Sequence, residues 1–246
     1  MVFVLALVSC LATRPAAAAE GLFLSWDDCR AVPQGASNRD FACDTDVGQH
    51  ELYVAFTMPQ ATDNVLDVEI VIDIQSAGTV LPNWWRLDSE GGCRGNNILQ
   101  VAADFPGKSA CVDMWQGTTT AATAGVQGYN PTEPRGAVTQ ARIKAVAYVV
   151  PDDARSLDAS SMYYAARILI KNEGTASCSG CAVPVCLVLN SIWVKRLPDS
   201  PGGDFFLQTP GPDNANWVTW QSGTGANCAA VPVRKRAWGE IKSLYR

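Results

Sequence analysis

The chain has 246 residues, of which 48% are hydrophobic and 17% are charged, and its net charge is −5 at pH 7. Globular proteins average about 25% charged residues, and ample apolar content with a small net charge excludes intrinsic disorder. The acidic balance excludes a nucleic-acid-binding surface, which needs clustered Lys and Arg. A single histidine excludes metal centres built from several imidazoles.

The N-terminus has the pattern of an export signal. The apolar run Val2–Ala12 is too short for a membrane-spanning helix, which needs about 20 residues. Ala17–Ala19 supplies the small residues that a signal peptidase requires, so we predict a signal peptide over residues 1–19. The alternative is a bacterial lipobox at Leu7–Cys10, in which a lipid on Cys10 would tether the protein to a membrane.

Residues 20–233 alternate short apolar runs with clusters of Gly, Pro, Asn and Asp, which is typical of an all-β domain. In Leu66–Ile74 four aliphatic residues share one side, and Glu69 and Asp73 lie on the other, which we expect to be wet. The predicted strands are Leu22–Trp26, His50–Met58, Leu66–Ile74, Ile98–Ala102, Ala141–Val150, Met162–Lys171, Val185–Leu197, Phe205–Gln208 and Trp217–Trp220.

These strands do not alternate with helical patterns, which argues against a parallel α/β sheet. We therefore predict one antiparallel β-sandwich, jelly-roll or immunoglobulin-like, in which two sheets cover each other's apolar faces. The stretch Gln116–Gln140, rich in small and turn-forming residues, is predicted to be a long irregular loop.

The cysteines predict a disulfide framework, because eight remain once Cys10 leaves with the signal peptide, an even number in an exported chain. A zinc site at Cys178–Cys181 lacks the second CxxC of a zinc ribbon, and export favours oxidation. Proximity along the chain suggests the pairs Cys29–Cys43, Cys93–Cys111, Cys181–Cys186 and Cys178–Cys228.

Eight tryptophans suggest a ligand site. Trp84 and Trp85 lie in a loop-like context, and a Cys93–Cys111 bridge would bring Trp115 close to them. Exposed indole rings stack on the apolar faces of sugars, whereas the alternative is that these rings close the ends of the sandwich and pack against disulfides. The glycan hypothesis names Trp84, Trp85, Trp115, Asp88, Arg94 and Asn96, with Asn97 and Asp113 nearby.

Asp44–Gly48 resembles half of a calcium-binding loop, but the downstream Glu of such a loop is absent. A structural calcium ion is therefore an alternative to a solvated acidic loop, and no other cofactor is predicted. Its candidate ligands are Asp44 and Asp46, which a Cys29–Cys43 bridge would bring towards Asp27, Asp28 and Asp40.

Catalytic motifs are absent from the sequence. It contains no G-x-S-x-G elbow, P-loop or dinucleotide fingerprint. His50, at a strand edge, is expected to be a surface residue rather than a general base. We predict a non-catalytic protein, although 24 acidic residues leave a carboxylate-based glycoside hydrolase open.

The C-terminal segment, residues 234–246, has five cations and one acid on an otherwise acidic protein. Its apolar residues recur with a helical period and predict a short helix with one apolar face. That face either docks on the sandwich or serves as a joint or sorting tail for a partner. The residues concerned are Trp238, Ile241, Leu244 and Tyr245.

Val185–Leu197 is similar to the late strand of jelly-roll carbohydrate-binding modules, in which Asp or Asn, here Asn190, interrupts an apolar alternation. This resemblance implies a fold and not a ligand. We therefore expect a secreted or cell-surface binding module whose partner is a glycan or another surface protein. The alternative is a structural subunit of an extracellular assembly that uses the C-terminal segment as its joint.

Overall fold

Thirteen β-strands form the regular structure of the computed structural model, which describes residues 19–29, 37–87, 92–95, 97–133, 136–226 and 228. They are β1 Gly21–Trp26, β2 Asn38–Arg39, β3 Gln49–Thr57, β4 Thr62–Ser76, β5 Leu99–Ala102, β6 Val112–Asp113, β7 Thr123–Pro131, β8 Gln140–Tyr148, β9 Arg155–Leu157, β10 Met162–Lys171, β11 Val185–Arg196, β12 Phe205–Leu207 and β13 Trp217–Trp220. Single turns of 3-10 helix occupy Asn83–Trp85, Pro151–Asp153, Pro212–Asn214 and Gln221–Gly223.

The strands form two sheets, so the chain is an all-β sandwich, as the alternation of its apolar residues predicts. The five-stranded sheet has the order β1-β3-β10-β5, with β6 beside β10. The eight-stranded sheet has the order β2-β13-β11-β4-β8-β7, with β12 on β11 and β9 on β4. All pairings are antiparallel except the two-residue contacts of β6 with β10 and of β2 with β13.

The core lies between the facing sides of the two sheets, where β-branched and leucine side chains alternate with outward residues. The aliphatic side of β4, from Val68 to Ile74, is fully buried, and Ile143 and Ala145 of β8 pack beside it. The outer side of the five-stranded sheet is covered as well, because Phe105 stacks on Tyr164 with their ring centroids 4.5 Å apart.

The segment 116–140 is not one irregular loop, because it contains the nine-residue strand β7. This strand is the edge of the eight-stranded sheet and pairs with β8 from Thr123↔Tyr148 to Pro131↔Ala141. Its small, half-exposed residues give no apolar alternation, so backbone pairing rather than side-chain burial sets its conformation. The short strands β2, β6 and β9 are likewise additional to the nine predicted.

The outer side of β4 is not wet throughout, because Asp73 is only 1% exposed. Arg142, its register partner on β8, donates from Nε and Nη2 to the two carboxylate oxygens at 2.6 and 2.8 Å. Asn190 on β11 donates to the same carboxylate from the opposite side. Cross-strand neighbours therefore bury an aspartate that the alternation alone would leave in water.

All eight cysteines downstream of the predicted signal peptide are bridged, with Cα–Cα distances of 5.4 to 5.9 Å. The pairs predicted from chain proximity, Cys29–Cys43, Cys93–Cys111, Cys181–Cys186 and Cys178–Cys228, are wrong. They fail because the strand order brings together loops that are far apart in sequence. The observed pairs are Cys29–Cys111, Cys43–Cys181, Cys93–Cys178 and Cys186–Cys228.

Four disulfides indicate folding in an oxidising, extracellular type of environment. Within the described ranges, no helix has the length and apolar character needed to cross a membrane. Several sequence predictions lie outside the described residues: the signal peptide up to residue 18, Cys10, and the C-terminal residues Trp238, Ile241, Leu244 and Tyr245.

Candidate functional site

Trp84 and Trp85 are fully buried, so they cannot form an exposed sugar-stacking platform. Their 3-10 turn folds over one end of the sandwich, where the Trp84 ring lies 4.7 Å from that of Trp220. The Trp84 indole N–H donates to Thr175 Oγ1 at 2.9 Å. The rings close the end of the sandwich beside the Cys93–Cys178 bridge, which is the alternative that the sequence left open.

Arg94 does lie beside Trp84, but as a buried contact rather than as part of a binding surface. Its guanidinium carbon is 3.9 Å from the Trp84 ring centroid, and Nη2 donates to the carbonyl of Lys171 at 2.6 Å. Burial lowers the pKa of Arg94 to about 10, although the charge of Glu173 opposes that shift. Of the other predicted ligand residues, Asp88 and Asn96 lie outside the described residues, and Asn97 is exposed.

Trp115 lies elsewhere, because Cys111 is bridged to Cys29 and not to Cys93. It is 3% exposed, and its indole N–H donates to the carbonyl of Ala165 at 3.0 Å. Its ring nevertheless lines an open cleft together with Asp113, a second residue named from the sequence.

This β5–β7 cleft has a volume of about 680 Å³ and opens where the edge strands of the two sheets approach each other. Small and apolar residues of β5 and of the segment 118–124 form its sides, and the buried rings of Phe105 and Trp115 lie against it. Asp104, Asp113 and Thr118 are its polar side chains. A cleft of this size and composition is of the kind that takes small ligands in proteins.

One wall of the cleft, the loop that precedes β7, is held in place by Asp153. Its carboxylate accepts hydrogen bonds from the backbone N–H groups of Thr119 and Thr120 at 2.7 and 2.9 Å and from both threonine hydroxyls. These bonds lower the pKa of Asp153 to about 2. Arg155 adds donations to the carbonyls of Met114 and Gln116, so hydrogen bonds from two residues hold this wall in place.

The opposite wall carries an ion-pair network that positions Asp104. Arg167 of β10, only 8% exposed, donates to Asp104 Oδ1 and to Glu51 Oε1, each at 2.9 Å. The Asp104 side chain itself is 70% exposed, so its carboxylate is directed by the arginine while still open to solvent. Asp104 therefore offers a fixed, charged acceptor at the mouth of the cleft.

Asp113 is the second carboxylate of the cleft and is half-buried. Burial raises its pKa, and the like charge of Asp104 adds to the shift. Backbone hydrogen bonds oppose it, including that from Trp115 N–H to Asp113 Oδ1 at 2.9 Å. The two carboxylates of one cleft thus stand in different surroundings, one exposed and ion-paired, the other desolvated and held by backbone amides.

The acidic calcium candidates do not come together. Asp44 and Asp46 are exposed, and Asp46 Oδ1 accepts a hydrogen bond from the backbone N–H of Ala176 at 2.8 Å. Within the described part of the chain, no group of three or more His, Cys, Asp or Glu side chains is placed to hold a metal ion. Each of the eight cysteines in the described ranges is bridged, so none of these eight provides a thiolate for zinc.

His50 is not a surface residue as expected but is half-buried in the aromatic end of the sandwich. Its ring lies 4.2 Å from that of Phe41 and 4.9 Å from that of Trp220. Burial lowers its pKa and the charge of Arg94 lowers it further, although Asn172 and Asp27 act in the opposite direction. The imidazole is a packing residue and lies outside the cleft.

Comparison of the chain with protein-family models and with curated proteins finds no match. The assignment of a function therefore depends on the geometry of the cleft and on the exposed surfaces.

The sequence identified Trp115 and Asp113 but not the other half of the cleft. Asp104 follows the short strand β5 and carries no motif, and the threonine- and alanine-rich residues 118–124 resemble an unstructured linker. The one available signal was that a structureless loop of 25 residues is rare inside a domain.

Proposed function

We propose that this protein is a secreted, non-catalytic module that binds a glycan in the β5–β7 cleft. The observation that carries this proposal is the open cleft of about 680 Å³, which is lined by two carboxylates and by small apolar residues. Export is supported by the four disulfides.

The chemistry of the cleft suits a polyhydroxylated ligand. Sugar hydroxyls donate hydrogen bonds to carboxylates, and Asp104, Asp113 and the hydroxyl of Thr118 provide such acceptors. The apolar faces of sugar rings can pack on the exposed and half-buried apolar surface that Pro106, Ala121 and the neighbouring alanines supply. Phe105 and Trp115, which are 7% and 3% exposed, support this surface rather than form it. An anionic ligand is disfavoured because the polar groups lining the cleft are acidic.

A glycan array probed with the oxidised full chain tests this proposal. Ala121 is exposed and lines the cleft, so Ala121→Trp should fill the cleft without disturbing the core. Val47→Trp, at an 80% exposed position outside the cleft, is the matched control. We expect array signals that fall at least tenfold in Ala121→Trp and persist in Val47→Trp. The proposal fails if there is no signal, or if the two variants behave alike.

Glycoside hydrolysis is a second candidate function, favoured by the presence of both carboxylates in one cleft. Asp113, whose pKa is raised, has the property of a general acid, and Asp104 would act as the base or nucleophile. Release of reducing ends from the ligands identified on the array, abolished by Asp113→Asn, would support hydrolysis. Intact ligands after prolonged incubation would support binding alone.

A further inference from the structure

The outer face of the eight-stranded sheet carries an exposed aromatic pair that the cleft does not use. Trp193 on β11 is 40% exposed and Phe206 on β12 is 55% exposed, and their rings meet edge to face at 6.5 Å. In the neighbouring strands, the register partner of Trp193 is Glu69 on β4, and that of Glu69 is Val146 on β8. These three residues form one row across the sheet. We call this surface, with the neighbouring row Lys195, Asp67 and Tyr148, the outer aromatic face.

Carboxylates outnumber cations on and beside this face. Asp67, Glu69 and Asp204 lie close enough for their charges to interact. The cations are Lys195, which pairs with Glu69, Arg196, and Lys144 in the next row of β8, which lies 3.8 Å from a fourth carboxylate, Glu133. Asp67 Oδ1 accepts no hydrogen bond from the described residues. Burial raises the pKa of Asp67 and the charges of Glu69 and Asp204 add to the shift, although the charge of Lys195 opposes it. An occupant of this face should therefore combine apolar rings with positive charge.

The described chain reaches the same face near its C-terminal end. Cys228 is bridged to Cys186, whose side chain packs with Val188 and Trp217 in a cluster separate from the main core. Trp193 lies seven residues beyond Cys186 on the same strand, roughly 23 Å away at about 3.3 Å per residue. Trp238 is the tenth residue after Cys228, and an extended chain of that length spans up to about 33 Å.

We propose that the outer aromatic face binds the protein's own C-terminal segment, residues 234–246, within the same molecule. The segment combines five cations with the apolar side chains of Trp238, Ile241, Leu244 and Tyr245, which matches the aromatic pair and the excess carboxylate. The Cys186–Cys228 bridge raises the local concentration of the segment at this face. This inference is independent of the cleft and of its ligand.

Photo-crosslinking tests the contact directly. Phe206 is replaced by p-benzoylphenylalanine in the oxidised full chain, and Val80, 57% exposed and outside the outer aromatic face, receives the same probe as the control. After irradiation, peptide mapping of the monomer should show cross-links from position 206 to residues 234–246 and none from position 80. Absence of that cross-link, or its formation only in covalent dimers, would overturn binding within one molecule.

A second experiment tests whether opposite charges contribute to this contact. Asp67→Asn preserves the shape of the face and should lower the cross-linking yield from position 206 at least threefold, as should 0.5 M salt, because surface charge pairs are screened. Asp152→Asn, an exposed carboxylate outside this face, is the matched control. Near-UV circular dichroism checks that each variant is folded. A cross-linking yield that changes with neither Asp67→Asn nor salt would show that charge does not contribute to the contact.

Discussion

Asp104 and Asp113 line the same cleft but are held in different ways. The carboxylate of Asp104 accepts a hydrogen bond from Arg167 at 2.9 Å, whereas that of Asp113 accepts one from the backbone N–H of Trp115 at 2.9 Å. Side-chain and backbone donors thus fix two acceptors, both beside the β10 edge that pairs with β5 and β6. Such a pair can orient a ligand that carries several hydroxyl groups.

Replacing Asp104 by Asn should lower glycan affinity about tenfold, because hydrogen bonds to charged groups contribute about 1.5 to 3 kcal/mol. Titration calorimetry with a ligand identified on the array measures the change. Asp152→Asn removes an exposed carboxylate that does not line the cleft and should leave the affinity unchanged. Equal affinity of the Asp104→Asn variant and the parent chain would show that the Asp104 carboxylate does not contribute to glycan binding.

The free energy of unfolding should fall as the pH is lowered from 7 to 5, because the folded state binds a proton at His50 less readily than the unfolded state does. Because the pKa of His50 is lower in the folded state, its contribution to stability is fully present above the unfolded-state pKa of about 6.5. That contribution is lost as the pH falls through the folded-state pKa. The chain has one histidine, so His50→Gln should remove this component. Urea unfolding at each pH measures the free energy of unfolding. The same dependence of that free energy on pH in His50→Gln as in the parent chain would contradict the assignment.

Arg142→Met should destabilise the fold by about 3 kcal/mol, since it leaves the carboxylate of Asp73 buried without its cation. Lys144→Met, on the same strand, removes an exposed cation 3.8 Å from Glu133 and should cost less than about 1 kcal/mol. Chemical denaturation of both variants provides the comparison. Similar losses in the two would show that Asp73 does not depend on Arg142.

Removing a disulfide should cost about 4 kcal/mol in the chain-entropy model. The double variant Cys186→Ser with Cys228→Ser opens a loop of 42 residues. The double variant Cys43→Ser with Cys181→Ser should lose a similar amount of stability, because the bridges Cys93–Cys178 and Cys29–Cys111 still connect the two positions through a path of about 35 residues. Thermal unfolding under non-reducing conditions compares the two variants. A much larger loss in Cys43→Ser with Cys181→Ser would contradict the observed pairing or its entropic origin.

The sandwich was predictable because the alternation of aliphatic residues in Leu66–Ile74 reports directly on burial, and the β4 side from Val68 to Ile74 is indeed fully buried. The pairing of the cysteines was not predictable, because proximity in sequence carries no information on which loops the strand order brings together. Cys43–Cys181 is an example. Whether Trp84 is exposed stayed open for the same reason, because only the fold places its loop over the end of the sandwich.

The cleft, like the fold, was predictable from the sequence only in part. Trp115 and Asp113 were identified from residue type, whereas Asp104 and β7 depend on long-range pairing of Arg167 with Asp104 and of β7 with β8. Edge strands of small residues have no period to detect, because neither of their sides is deeply buried.

Amide chemical-shift mapping tests the glycan-binding cleft most directly. The isotopically labelled, oxidised chain is titrated with the strongest ligand from the array, and the perturbed amides are located on the structure. The largest shifts should fall in residues 101–106 and 113–124, which contain the residues lining the β5–β7 cleft, and Ala121→Trp should abolish them. Shifts centred on Trp193 and Phe206, with the cleft unaffected, would contradict glycan binding in the cleft.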